Sequence, residues 1–287
     1  MRADITCFFD DKTNSATYVV CDPATSHAAI IDPVLDFDPV SGRTSTENAQ
    51  KVVDFVGENN LSIDWILESH VHADHLTASV WLKEKLGGQS GIGRGITAVQ
   101  ETFGAIFNVT DNLPADGSQF DQVFDDGATF KIGGIDARVM ATPGHTPACV
   151  TYIIGDACFT GDTLFMPDSG TARCDFPGGD AKQLFASLQK ILALPDDMRL
   201  FVCHDYGAGG TRDFAWETTV AIQRDTNIHI GGGTLEHDYV HMRRDRDGGL
   251  SLPRLIIPAV QVNMRAGVFP PAEENGTTYI KVPLDVF

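Results

Sequence analysis

Three histidines and an aspartate fall within the six residues His70-Val71-His72-Ala73-Asp74-His75. Imidazole and carboxylate are the side chains that hold divalent transition metals, and a loop this short can turn several of them onto one point. A single histidine is ordinarily a hydrogen-bonded polar group. Three at this spacing beside an aspartate are hard to explain as packing, so metal-dependent catalysis is the chemistry to look for.

Three further segments supply partners. Thr142-Pro143-Gly144-His145-Thr146 places a histidine on a turn after the apolar run Ala137 to Met140. Phe159 to Phe165 sets Asp162 just beyond a strand end, and Val202-Cys203-His204-Asp205-Tyr206 sets a last histidine at the end of another. Each repeats one arrangement, a polar ligand on a loop supported by an apolar strand. Cys174 and Cys203 lie close to these segments but have no base beside them, and are read as buried small residues. The segment Gly87 to Gly95, GGQSGIGRG, lacks GxGxxG, a Walker lysine and a preceding strand, and is read as a flexible connection.

In this order and at these intervals, the HxHxDH loop, the PGH, the GD and the terminal histidine resemble the metallo-β-lactamase superfamily over about Ala16 to Asp225. The resemblance implies an α/β fold, a four-layer αββα sandwich with the metal site at one edge of the sheets. It also implies roles: His70, His72 and His145 as ligands of a first metal, Asp74, His75 and His204 of a second, and Asp162 as the bridging carboxylate. Two metals so held would share a hydroxide and polarise a carbonyl, as in a glyoxalase II-like thioester hydrolase.

Within the superfamily, the stretch Asp168 to Gly179 (DSGTARCDFPGG) together with His204-Asp205-Tyr206 resembles the persulfide dioxygenase branch, in a bacterial subgroup. That implies one Fe(2+) per chain, held by His70, His145 and Asp162, with His72, Asp74, His75 and His204 in the pocket without a second metal. A two-histidine, one-carboxylate triad leaves open positions for a sulfur ligand and for dioxygen. The implied reaction takes glutathione persulfide, O2 and water to sulfite and glutathione. Asp74 would orient a ligand or a water. Tyr206 would hydrogen-bond an oxygen species or the substrate, or pack inertly. Arg173 would anchor substrate carboxylates or pair with Asp175, the second being favoured. A dinuclear thioester hydrolase is the alternative, and a non-catalytic metal-binding protein a weaker one, since every ligand position is filled.

The elements that must position these residues follow from periodicity and turn chemistry. Thr17 to Val20 and Ala28 to Ile31 read as a hairpin. Thr44 and Glu47 have capping-box spacing before a helix running to about Asn59, and Ile63 to Leu67 reads as the strand that delivers the histidine loop. Leu76 to Leu86 and Thr97 to Phe107 read as helices, Val123 to Phe165 as consecutive strands, and Ala181 to Leu194 and Arg212 to Asp225 as helices flanking the strand Leu200 to Cys203. Residues 1–227 are expected to form the metallo-β-lactamase-like domain. Residues 228–287 are expected to be a C-terminal extension packed on the core or at a dimer interface, with the charged run His237 to Asp247 a solvated helix face.

Composition narrows the partners. With 39 acidic against 21 basic residues the formal charge is −18, which argues against nucleic acid or an anionic membrane. Arg173 and Arg224 are then the cations to watch for an anionic small substrate. Six cysteines without a CxxC pair, an N-terminus without a basic and then apolar leader, and no apolar run near the ~20 residues of a membrane span predict a cytoplasmic chain, expected to be a homodimer.

Overall fold

The structure is a computed structural model that describes residues 2–286. The chain opens with β1 (Asp4–Asp10), β2 (Ser15–Cys21) and β3 (His27–Ile31), then β4 (Val34–Asp38), β5 (Arg43–Ser45), α1 (Glu47–Glu58) and β6 (Ser62–Leu67). After the histidine loop come β7 (Leu76–Thr77), α2 (Ser79–Leu86), β8 (Gln89–Gly93), α3 (Ile96–Ile106) and β9 (Gln122–Phe124). The second half holds β10 (Thr129–Ile132), β11 (Ile135–Ala141), β12 (Val150–Ile154), β13 (Ala157–Phe159), α4 (Ala181–Leu192), β14 (Arg199–Phe201), the one-turn α5 (Gly207–Gly210), β15 (Glu217–Thr219) and α6 (Val220–Thr226). Helices α7 (Glu236–Asp247) and α8 (Ile256–Asn263) follow.

Two six-stranded sheets result, in the orders β1-β2-β3-β6-β8-β9 and β10-β11-β12-β13-β14-β15. Strand alternation decides how they pack, because successive side chains leave opposite faces. In β2 and β3, Tyr18, Val20, Ala29 and Ile31 enter the core between the sheets with Tyr152, Ile154, Phe159 and Phe201 of the second sheet. Val19, Ala28 and Ile30 face the other way, onto Val52 and Val56 of α1 and Leu82 of α2. On the far side, Cys158 and Leu200 pack beneath Leu184, Leu188 and Ile191 of α4 and Tyr239 of α7. Helix, sheet, sheet and helix layers follow, the αββα architecture.

Four readings need correction. The glycine-rich segment is no flexible connection: Gln89–Gly93 is β8, paired in parallel with β6 and β9. Its glycines mark crowding. A Cβ on Gly91 would come 2.6 Å from the Phe124 ring and one on Gly93 2.4 Å from Val150. The helix expected from Arg212 begins only at Val220, after the edge strand β15. Thr44 lies in β5, and α1 starts after Thr46 with no side-chain cap. The charged run is not wholly solvated: Arg243 and Asp247 are buried together, 2.7 Å apart, and Asp247 accepts from the Cys174 amide while Arg243 donates to the Thr171 carbonyl.

Part of the chain after Asn227 lies deep in the molecule. Val260 of α8 and Met264 just after it pack with Phe103 of α3 and Val71 of the histidine loop, and Ala259 and Val262 enter the cluster above the first sheet. Among the described residues no helix is long and apolar enough to cross a membrane.

Candidate metal centre

The site is assembled from strand ends. The histidine loop leaves β6, His145 sits on the turn from β11 to β12, Asp162 follows β13, and His204 follows β14. Gly144 makes its turn possible: its φ is +142° and a Cβ there would come 2.3 Å from the Leu184 backbone. Gly161, at φ +50°, lies against Ser69, where a Cβ would come 2.6 Å from the serine hydroxyl oxygen, and Asp162 follows it directly.

These loops bring the predicted ligands together. Nε2 of His70 and Nε2 of His145 lie 3.8 and 3.7 Å from Asp162 Oδ2, and the three side chains are buried. His204 Nε2 stands 3.2 Å from the other oxygen, Asp162 Oδ1, and 3.4 Å from Asp74 Oδ2. The His72 ring lies between those of His70 and His75, at centroid distances of 4.0 and 4.2 Å. Among the described residues, His70, His145 and Asp162 form one group able to hold a metal, and three other such groups share His72. Asp74, His75 and His204 do not converge as a group by themselves: the Ser15 hydroxyl sits among them, 3.2 Å from Asp74 Oδ2, 3.3 Å from His75 Nδ1 and 3.4 Å from His204 Nδ1.

Hydrogen bonds on the outer ring nitrogens orient the imidazoles. His145 Nδ1 donates to the Arg173 carbonyl at 2.7 Å and His204 Nδ1 to the Asn14 carbonyl at 3.0 Å, which turns each Nε2 inward. His72 is reversed, its Nε2 against Asp32 Oδ1 at 3.1 Å and Glu68 Oε2 at 3.5 Å, with Nδ1 turned away from them. The inward atoms His70 Nε2, His72 Nδ1, His75 Nε2, His204 Nε2 and Asp162 Oδ1 are buried without hydrogen-bond partners. Buried polar groups are seldom left so. A divalent cation would satisfy them, and the donor set fits one.

Electrostatics agree. Burial, with the His72 and His145 charges, holds His70 well below the usual histidine range, so it stays a neutral ligand. Burial opposes protonation of His204 too, but the Asp162 and Asp74 carboxylates outweigh it and hold His204 well above that range; a bound cation would take the place of that proton. Burial pushes the Tyr206 hydroxyl up to about 12, so it remains a donor.

A cavity of about 530 Å³ opens on His145, Asp162 and His204, and Arg173, Tyr206 and Arg246 are in its wall. The Arg173 guanidinium is taken up by Asp175, through two bonds of 2.6 Å, and by the Ser251 carbonyl. Arg224 pairs with Asp196 and the Leu192 carbonyl, outside this wall. A larger cleft of about 880 Å³ beside the β4–β5 hairpin touches only Asp74 and His75 of the cluster.

Sequence reasoning missed several contributors. Asp32, read only as the close of a hairpin, carries a left-handed φ of +51° and accepts from His72 and from the Ser69 amide. Asn263 of α8 donates to the His72 and His75 carbonyls and accepts from the Thr77 amide, at 2.8 to 2.9 Å. His229 lines the cavity, its Nδ1 accepting from the Thr171 amide. Asp32 beside Pro33 carried only a turn signal, and Asn263 and His229 carried none.

The profile of the metallo-beta-lactamase superfamily matches residues 11–204. The chain is 54% identical over 282 residues to a beta-lactamase hydrolase-like protein of Agrobacterium fabrum, covering 98% of this chain but 65% of that protein's length. It is 46% identical to glyoxylase B2 of Dictyostelium discoideum, over 99% of this chain and 98% of that one. It is 32% identical to the human mitochondrial persulfide dioxygenase ETHE1, over 92% and 88% of the two chains. Among solved structures, ETHE1 from Myxococcus xanthus superposes with a TM-score of 0.74 at 28% identity, covering 92% of this chain and all of that one.

Proposed function

The chain belongs to the metallo-beta-lactamase superfamily, and from that premise we propose that it is a glutathione-dependent persulfide dioxygenase using one ferrous iron per chain. One observation carries the reading: His70 Nε2, His145 Nε2 and Asp162 Oδ2 converge as a two-histidine, one-carboxylate set, while Ser15 stands among Asp74, His75 and His204. His70, His145 and Asp162 would hold the iron. When bound, it supplies the redox chemistry that joins dioxygen to sulfur.

The balanced reaction is glutathione persulfide plus O2 plus water giving glutathione, sulfite and two protons. The sulfur–sulfur bond breaks, and the four electrons that O2 accepts come from the outer sulfur. The chain's own groups prepare it. The Arg173 carbonyl aims His145, and Asp32 fixes the His72 ring. Tyr206 offers a proton-bearing hydroxyl in the cavity wall, and the exposed Arg246 gives a cation for a substrate carboxylate. The cavity volume lies within the roughly 300–1,000 Å³ usual for small-molecule sites.

A dinuclear thioester hydrolase is the second reading, favoured by His204 Nε2 standing between Asp74 and Asp162 and by the likeness to the Dictyostelium glyoxylase. Anaerobic purification followed by iron and zinc analysis, with oxygen uptake and sulfite release measured on glutathione persulfide, separates the two. About one iron per chain with one sulfite per O2 is expected. Two zincs, thioester hydrolysis and no oxygen uptake would replace the proposal with the hydrolase.

A further inference from the structure

The cavity at the metal centre is bounded on one side by two loops, not by strands. One is the Asp168–Thr171 segment after Asp162; the other is α5, which follows Tyr206. Asp168 and Ser169 of the first and Ala208 and Gly209 of the second all line the cavity. In α5 four successive residues hold left-handed backbone, with φ of +56°, +49°, +69° and +87° from Gly207 to Gly210. That conformation is disfavoured for Ala208, and glycine loses more chain entropy on ordering than other residues, so the turn needs an anchor.

Arg212 supplies it. Its Nη1 and Nη2 donate to the two oxygens of the fully buried Asp205 at 2.7 Å each. Its Nε and Nη2 donate to Asp168, 44 residues away, at 2.6 and 2.7 Å. Asp205 Oδ2 also accepts from the Ala215 amide at 2.8 Å and the Gly207 amide at 3.4 Å, so both ends of the turn close on one carboxylate. Two forks on one guanidinium are among the stronger and more directional polar contacts a chain can make.

Only one side of this clamp serves the turn itself. The Asp205 fork would neutralise Arg212 and hold α5 without help. The Asp168 fork joins the opposite wall, and between the walls sits Tyr206, its ring 6.0 Å from Phe165 and 6.4 Å from His204. We propose that Arg212 is a positioning residue that sets the width of the substrate cavity and the place of Tyr206 by tying α5 to Asp168. The substrate it shapes the cavity for is the persulfide of the reading above, on which this inference rests.

The test compares Arg212→Gln, Arg212→Lys and Asp168→Asn with the unaltered chain, each loaded with iron. Amide hydrogen exchange reads the clamp with no substrate present; in Arg212→Gln, exchange over Gly207–Thr211 and Asp168–Thr171 is expected to quicken by about tenfold or more. KM for glutathione persulfide is expected to rise about tenfold while kcat moves less, because positioning of bound substrate is lost and the metal is not. Asp168→Asn keeps the Asp205 fork, and with it the fold, and should move exchange and KM in the same direction by less. Lysine, a single ammonium, should restore only part of either effect. Unchanged exchange in both Arg212→Gln and Asp168→Asn overturns the clamp, as does a fall in kcat and iron content with KM unmoved. Failure of the unaltered chain to consume O2 strikes the functional reading instead, and the exchange data still judge the clamp.

Discussion

At the scale of single residues, Asp162 and His204 separate one metal from two. Asp162 Oδ2 lies near both Nε2 atoms of the triad, whereas His204 Nε2 stands against its second oxygen and Asp74. Asp162→Ala should weaken metal binding by at least the roughly 10–100-fold that loss of even an outer-shell partner costs. His204→Ala should keep about one metal per chain by elemental analysis; a fall from two to one would point to the dinuclear centre. His229 gives a pH dependence. Burial first, then the Arg243 and Arg246 charges, pushes its pKa down to about 4, and its Nδ1 must stay unprotonated to accept from Thr171. The unfolded chain takes up that proton near pH 6.5, so this contribution is present above about pH 6.5 and is lost as pH falls toward about 4. His229→Gln should therefore show a flatter melting temperature between about pH 7 and 5 than the unaltered chain, and parallel curves would refute it.

At the scale of elements, α8 acts on the metal centre without touching it. Asn263 satisfies three backbone groups of the histidine loop, the His72 and His75 carbonyls and the Thr77 amide. Asn263→Ala leaves them buried without partners, at about 1–3 kcal/mol for each group that water cannot reach. The metal-free protein should lose about 3 kcal/mol in denaturant unfolding, and metal affinity should fall about tenfold as the loop loosens. An unaltered affinity would mean that the loop keeps its shape without α8. Strand β8 carries the opposite lesson: the sequence offered glycines, which read as a loop, yet Gly91 and Gly93 lie in the middle of a sheet because Phe124 and Val150 leave no room for a side chain.

At the scale of the molecule, the centre joins loops from both sheets, so a bound ion cross-links the two halves of the fold. A ligand present at about a hundredfold its Kd stabilises by about 2.7 kcal/mol. For a chain of this size that is a melting shift of about 4–5 °C. Chelation should lower the melting temperature by about that much and re-addition of metal should restore it. A melting temperature indifferent to chelator would show that the inward-facing nitrogens do not depend on an ion.

The ligand cluster could be read from the chain because its information is local. HVHADH, PGH and GD each place a donor beside the end of an apolar strand, and the unbroken apolar runs of β2 and β3 suit a sheet buried on both faces. The residues that orient those ligands could not be read in this way. Asp32 meets His72 across 40 positions and Asn263 meets it across 191, and no local pattern distinguishes either from a turn aspartate or a helical asparagine. Arg173 shows the same division: the motif singled out the arginine and favoured its pairing with Asp175, which the fold bears out, but only the fold showed that its carbonyl aims His145. Residue type and spacing determine which groups can bind a metal. Which ring nitrogen faces it, which strand is crowded and which loop is clamped depend on contacts between distant segments, and those exist only once the two sheets have packed.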